Sequence, residues 1–419
     1  MSAADWVAYE DALAVVLAST PTLPPERVPA ADALSRALAE RVVARVDHPP
    51  WDNSAMDGFA VHARDVRGAT RDAPVRLPIS DEIAAGGFPG GPLAPGTAAR
   101  IMTGAPVPED ATGVVRVEHT DGGRGPEVAI HDDSDSERHI RRRGEDVRAG
   151  DGLLEPGERI TPAAVALLAM AGAREVPVGR RPRVGVLANG DELADAEDFD
   201  QVIAGRRIAN SNGPGLAAQV AEAGGVPVPL GIARDDPASL RERILAGADC
   251  DAIVSAAGVS VGEHDHVRDV LEALGLERSF WRVKMRPGSA TLFGTLDGRP
   301  FWGVPGNPVS ALVTFEVLIR PALLRMAGFT RIRRAAISCR VAEEVRGPED
   351  VTSFLRVVLA GDAADPPEVR LTGAQGSGVL TSMRADGLLV LPEGVAGHRA
   401  GERADVIPLR EWAHPAGGA

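Results

Sequence analysis

Between residues 181 and 328, short apolar strands alternate with helical stretches, and that rhythm restricts the fold more than any other feature of the chain. RPRVGVLANGDEL (181–193) carries the buried strand VGVLA. NSNGPGLAAQVAEAGG (210–225) reads as a loop entering a helix, and VPVPLGIARDD as a second strand with its exit loop. A helix over 237–248, the strand CDAIVSAAGVS, a helix over 266–275, strands near 280–303 and a helix after PGNP complete the series. Such alternation predicts a doubly wound, parallel α/β domain. Ligands of these sheets bind at the carboxyl ends of the strands, so the loops there hold the candidates for chemistry.

The flanks have other textures. DWVAYEDALAVVLA (5–18) has helical periodicity, and 26–46 predicts a second helix around ADALSRALAE. From HPPWDNSAMDGFAV (48–61) to about residue 130, turns separate short β-segments, which predicts a small β-rich domain. HDDSDSE (131–137) reads as a solvated acidic loop, and TPAAVALLAMAG (161–172) as a helix with Pro162 in its first turn. Beyond 330, RRAAISCRVAEEV, FLRVVLAG, PEVRLTGA and GLLVLPEG are alternating strands of a last β domain. A chain of 419 residues is long enough for about two to four domains.

Three strand ends carry acids: Asp191 and Glu192 after VGVLA, Asp235 and Asp236 after VPLGIA, and Glu263 and Asp265 in GVSVGEHD. Carboxylates alone suit hard Mg²⁺, which commonly arrives with phosphate groups. FWGVPGNPVSAL (301–312) adds a strand-to-helix turn. Pro305 and Pro308 forbid an ordinary ladder, Gly306 and Asn307 tolerate positive φ, and Pro308 suits a first helical turn. A helix start of this kind presents N–H groups to an anion. Arg282, Lys284 and Arg286 alternate along FWRVKMRPG and therefore share one face of a strand. They are candidates for neutralising phosphate or oxyanion charge, whereas the arginine-rich RHIRRRGEDVRAGD (138–151) reads equally well as surface.

Other chemistries lack their signatures. The net charge of −14 opposes general binding to nucleic acid or a membrane surface. Cys250 and Cys339 are too few for a disulfide framework, and with no cleavable apolar leader in MSAADWVAYEDAL they point to a cytoplasmic protein. His264 and His266 lack further His or Cys at zinc spacing, and no G-x-S-x-G elbow, Walker A or strand-linked G-x-G-x-x-G is present.

PPWDNSAMDGFAV, RIMTGAPVPE, RRRGEDVRAGD, NGDEL, GVSVGEHD, MRPG, VPGNPVSA and TGAQGSG together resemble, in order and spacing, the molybdopterin molybdenumtransferases, which include the E domain of gephyrin. The likeness spans essentially the whole chain. It implies insertion of molybdenum from molybdate into adenylylated molybdopterin, with release of AMP, in a homodimer whose cleft lies between subunits. It also implies four parts: a helical and linker dimerisation domain (1–47 and 139–179), a β-rich domain (48–138), an α/β molybdopterin-binding domain (180–328) and a C-terminal β domain (329–413). The family's functional acids fall on Asp57, Asp146, Glu192, Asp235 and Asp265. By this resemblance Glu192, Asp235 and Asp265 hold Mg²⁺ near the phosphates, and Asp57 and Thr103 reach the partner's cleft. Substrate contacts fall on Asp146, Gly190, Ser260, Gly262, Arg282, Arg286, Pro305, Gly306, Asn307, Pro308 and Ser377. Molybdopterin adenylyltransferase and molybdoenzyme apoproteins are the implied partners.

The chain departs from the family pattern at several places, among them Arg282 and Arg286, which keep the charge of the family's lysines with another donor geometry. Asn189 stands where TGDEL has threonine, Ala256 and Ala257 stand in the SGGVS run, and Ser289 replaces a lysine. These departures keep a second reading open, a paralogue that binds molybdopterin as a scaffold or carrier. A nucleotide-processing hydrolase built on the same α/β domain is a third, and DNSAMDG and MTGAP oppose it.

Overall fold

The structure, a computed structural model, describes residues 6–257, 266–360, 366–376, 378 and 384–410. The chain forms two compact units, one of residues 1–40, 156–162 and 175–419, the other of residues 41–155 and 163–174.

In the larger unit a six-stranded sheet runs in the order Val226–Ala233, Arg183–Asn189, Ala252–Ala256, Arg299–Val304, Leu292–Leu296, Glu277–Phe280. The first four strands are parallel. Successive residues of Arg183–Asn189 serve opposite faces. Val184 and Val186 pack with Leu216 and Val220 of the helix Asn212–Glu222. Leu187 packs with Leu240 and Ile244 of Pro237–Ala246 and with Val270 and Leu271 of His266–Ala273. Helices on both faces make the sheet doubly wound, as expected. Its last two strands, however, are antiparallel. Asp297 and Gly298, with φ of 51° and 74°, form the two-residue turn that returns the chain as a hairpin.

The strand Arg282–Arg286 leaves this sheet. It pairs in parallel with Trp6–Ala8 and, through Met285 and Arg286, with Thr352–Ala360. Thr352–Ala360 in turn pairs with both Glu368–Leu371 and Gly387–Leu391. Ile337–Val341 and Arg403–Pro408 complete the ring, which closes a five-stranded barrel over Cys339, Val341, Val357, Leu389 and Val406.

The predicted helix around ADALSRALAE does not form. Ser35 takes a φ of 64°, and Ala37 and Leu38 make isolated β-bridges to Arg159 and Val178. The apolar spacing there comes from residues buried by non-local pairing, not from a helical face. The first segment also divides, into the strand Trp6–Ala8 and the helix Tyr9–Ala18.

The smaller unit is built on a five-stranded sheet in the order Gly113–Arg116, Gly58–Val61, Ala98–Ile101, Val75–Ile83, Glu127–Ile130. Every residue of Gly58–Val61 is buried, with Phe59 and Val61 facing one core and Ala60 the other. The acidic stretch 131–137 is not wholly solvated. Asp135 is buried, bonded to Arg116 Nε at 2.8 Å and His139 Nε2 at 3.1 Å, with His119 Nδ1 at 3.0 Å. Among the described residues no helix is long and apolar enough to cross a membrane.

Candidate active site

At the carboxyl end of Arg183–Asn189 the chain turns through Gly190, whose φ is 141°. A Cβ there would lie 2.2 Å from Glu192 Oε2, so glycine leaves room for that carboxylate to fold back over the turn. The neighbouring strand end is joined by exchange: Asp191 N donates to Asp235 Oδ2 at 3.3 Å, and Asp235 N donates to Asp191 Oδ1 at 3.4 Å. Arg234 Nη1 reaches Leu193 O at 3.2 Å and so braces the same turn. Asp191, Glu192 and Asp235 are all exposed, with hard oxygen donors of the kind that suit Mg²⁺. Asp265, Ser260 and Gly262 lie outside the described residues. Among those described, no group of three His, Cys, Asp or Glu side chains is arranged to hold a metal ion.

The PGNP segment starts a helix at Pro308 as its sequence predicts, but it does so without the positive φ that Gly306 and Asn307 would tolerate, Asn307 lying at −65°. Asn307 caps the helix Pro308–Thr314, its Oδ1 accepting from Val309 N at 2.9 Å and Ser310 N at 3.3 Å. Two N–H groups expected to face an anion are therefore occupied by the cap. Asn212 Nδ2 donates to Gly306 O at 2.8 Å and pins the turn from the helix Asn212–Glu222. The helix continues through a π-helical stretch, Phe315–Ile319, into Arg320–Met326.

The alternating basic strand has its charged groups on the less buried face, with Val283 and Met285 inside. Its three cations do different things. Arg282 stacks over Trp6 with 5.1 Å to the ring centroid, and Lys284 Nζ pairs with Glu393 at 3.0 Å. Arg286 instead lines a cavity of about 310 Å³ with Arg346, Ser353, Arg356 and Gln375. Arg346 is paired with Glu344 at 2.7 Å. Arg356 is only 1% exposed, yet among the described residues neither it nor Arg286 pairs with a carboxylate. Arg356 Nη2 donates to Gly376 O at 2.9 Å, while its Nε and the Oγ of buried Ser353 find no partner among the described residues. Burial, and then the nearby Arg286 guanidinium, push the Arg356 pKa down. Two guanidiniums and an unpartnered hydroxyl at one cavity make a receptor for an oxyanion. Arg356 escaped the sequence reading; its one signal is a charged residue set among apolar ones in SFLRVVL. Ser377 lies outside the described residues.

In the smaller unit Asp57 and Thr103 meet although 46 positions separate them. Thr103 N and Oγ1 both donate to Asp57 Oδ1, at 2.7 and 2.8 Å. These bonds, the backbone one first, hold the exposed carboxyl below its ordinary pKa. Gly58 beside it admits no side chain, because a Cβ would lie 2.0 Å from Val115 O. Asp146 is exposed on a loop fixed by its N–H to His48 O at 3.1 Å. The arginine-rich stretch around it is anchored by Arg142 to Asp52 at 2.7 Å and Arg143 to Asp47 at 2.6 Å.

Three family models match the chain: the MoeA N-terminal region (domain I and II) over residues 7–172, a probable molybdopterin binding domain over 185–325, and the MoeA C-terminal region (domain IV) over 338–409. Molybdopterin molybdenumtransferase 2 of Mycobacterium tuberculosis is 40% identical over 92% of this chain and 95% of its own length. The molybdopterin molybdenumtransferase of Bacillus subtilis is 33% identical over 91% and 89%. Two crystal structures of molybdopterin biosynthesis MoeA proteins from Pyrococcus horikoshii superpose with TM-scores of 0.79 and 0.82 at 31% and 25% identity. They cover 97% and 96% of this chain and 100% and 99% of their own.

Proposed function

The chain belongs to the molybdopterin molybdenumtransferase family and is an enzyme of that type, and on that premise we propose how its residues divide the work. The reaction inserts molybdenum from molybdate into adenylylated molybdopterin, releases AMP and yields molybdenum cofactor. The cavity between Arg286 and Arg356 is the observation that carries the assignment of substrate sites. Molybdate is an oxyanion, and a buried arginine with no carboxylate partner among the described residues offers it charge and hydrogen bonds together. Buried Ser353 adds a hydroxyl that has no hydrogen-bond partner among the described residues.

The PGNP turn and Gly190 are assigned to contact with adenylylated molybdopterin, with Asn307 fixing the turn's shape. Glu192, Asp235 and Asp265 would hold Mg²⁺, which offsets phosphate charge when bound. Asp57, Thr103 and Asp146 are assigned to substrate contact as well. We assign a homodimer working in the cytoplasm, supplied by a molybdopterin adenylyltransferase and delivering to molybdoenzyme apoproteins. The division into 1–47 with 139–179, 48–138, 180–328 and 329–413 belongs to the same proposal, in which sedimentation should give the mass of two chains. The similarity to transferases over nearly the full length supports turnover over a carrier role.

The test is AMP release from adenylylated molybdopterin with and without molybdate, in wild type and in Arg356→Met. Wild type should release AMP only with molybdate. Arg356→Met should raise the KM for molybdate at least about tenfold, because a hydrogen bond to a charged group contributes about 1.5–3 kcal/mol. An unchanged molybdate KM would remove the cavity from the reaction.

A further inference from the structure

The carboxamide of Asn189 joins neighbouring strand ends beneath the substrate turn. Its Nδ2 lies 2.6 Å from Ser255 Oγ, 3.1 Å from Ala257 O and 3.3 Å from Ala256 O, and the residue is 4% exposed. Two of these partners are carbonyl oxygens, which only accept, so the NH₂ end must face them. Ala257 has a φ of 69°, a left-handed conformation that a Cβ disfavours. Its N–H donates to Val304 O at 3.0 Å, tying it to the strand that leads into PGNP. A Cβ on Gly306 would come 3.1 Å from the Ala257 methyl, so that methyl rests against the turn. A disfavoured backbone conformation persists only where its surroundings over-determine it. Here they are the Val304 carbonyl at the N–H of Ala257 and the Asn189 amide at its carbonyl.

We propose that Asn189 is a positioning residue for the transferase reaction. Its amide hydrogens hold Ala257 left-handed, and Ala257 sets the seat of the Pro305–Pro308 turn. The inference rests on the reading of that turn as a substrate contact. A threonine hydroxyl carries one hydrogen and serves one of the three acceptors, while an aspartate would turn an acceptor toward two carbonyls. Glycine in place of Ala257 adopts the left-handed conformation unaided and removes the need for the clamp.

The experiment compares wild type with Asn189→Ala, Asn189→Thr, Asn189→Asp, Ala257→Gly and the double variant Asn189→Ala/Ala257→Gly. Each is melted, and each is assayed for molybdate-dependent AMP release at a temperature where it is folded. Asn189→Ala should raise the KM for adenylylated molybdopterin about tenfold with kcat within about threefold of wild type. Asn189→Thr should fall between wild type and Asn189→Ala, and Asn189→Asp should be at least as impaired as Asn189→Ala. Ala257→Gly loses the methyl against the turn but not its backbone bonds, so it should raise the KM less than Asn189→Ala does, and the double variant should be no worse than Ala257→Gly alone, a coupling that a general loss of packing does not produce. A wild-type KM in Asn189→Ala, or a double variant no better than that single one, overturns the proposal. If wild type itself releases no AMP with molybdate, the transferase reading has failed and the melts decide the clamp. A double variant melting above Asn189→Ala then supports it, and strictly additive losses overturn it.

Discussion

Asp57 shows what one residue's surroundings do to its charge. Two donors from Thr103 converge on Oδ1, and both favour the ionised form. A depressed folded pKa gives stability that is present above the unfolded value and lost as pH falls through the folded one. Thr103→Val keeps the backbone donor and removes the hydroxyl. The Asp57 carboxyl, followed by NMR titration, should then move up toward its ordinary value while remaining below it; an unmoved titration would show that the hydroxyl does nothing to the charge. Asp57 and Thr103 were legible because each sits in a motif, AMDG and MTGAP. Arg356 was not, since a strand pattern cannot tell a buried arginine from an exposed one. Nor could the sequence show that Ala257 is left-handed, a conformation costing about 1–2 kcal/mol for a residue with a Cβ.

At the scale of elements, what could be read followed from how local the determinants are. The central strands and helices were legible because their apolar spacing and strand-end loops are local, and the sheet has the predicted helices on both faces. The stretch 26–46 was misread because Ala37 and Leu38 are buried by partners more than a hundred positions away. The Asp-Gly hairpin at 297–298 was a local signal left unread. Asp135 belongs with the non-local cases. It ties the segment after the strand Glu127–Ile130 to Arg116 of Gly113–Arg116. Burial pushes its pKa up, but the bonds from Arg116 and His139 outweigh that and leave it lowered. Asp135→Asn removes the carboxylate that accepts from Arg116 and His139, a change expected to lower the Tm. Because the wild-type pKa is depressed, that difference should be full near neutral pH and shrink as pH falls through the carboxyl's folded pKa. Melts of the two proteins across that range check it, and a gap that does not close in acid would place the stabilisation elsewhere.

The molecule as a whole carries a charge opposite to what its substrates need. Its net charge of −14 repels anions at a distance, while Arg286 and Arg356 attract them at one cavity. The composition announced the first fact and not the second, because net charge sums over positions and a site depends on a few. The two effects differ in range, which makes them separable. Salt screens exposed charges beyond a Debye length, roughly 10 Å at about 0.1 M, but acts far less on a buried guanidinium in contact with its ligand. Moderate salt should therefore raise the association rate of molybdate by about twofold, as the repulsion is screened. The dissociation rate should stay nearly constant over the same range. Stopped-flow binding at a series of ionic strengths measures both. Association that falls from the lowest salt onward would mean that the local positive field around the arginines extends past the surface and outweighs the net charge, so that this acidic protein steers its anionic substrates in.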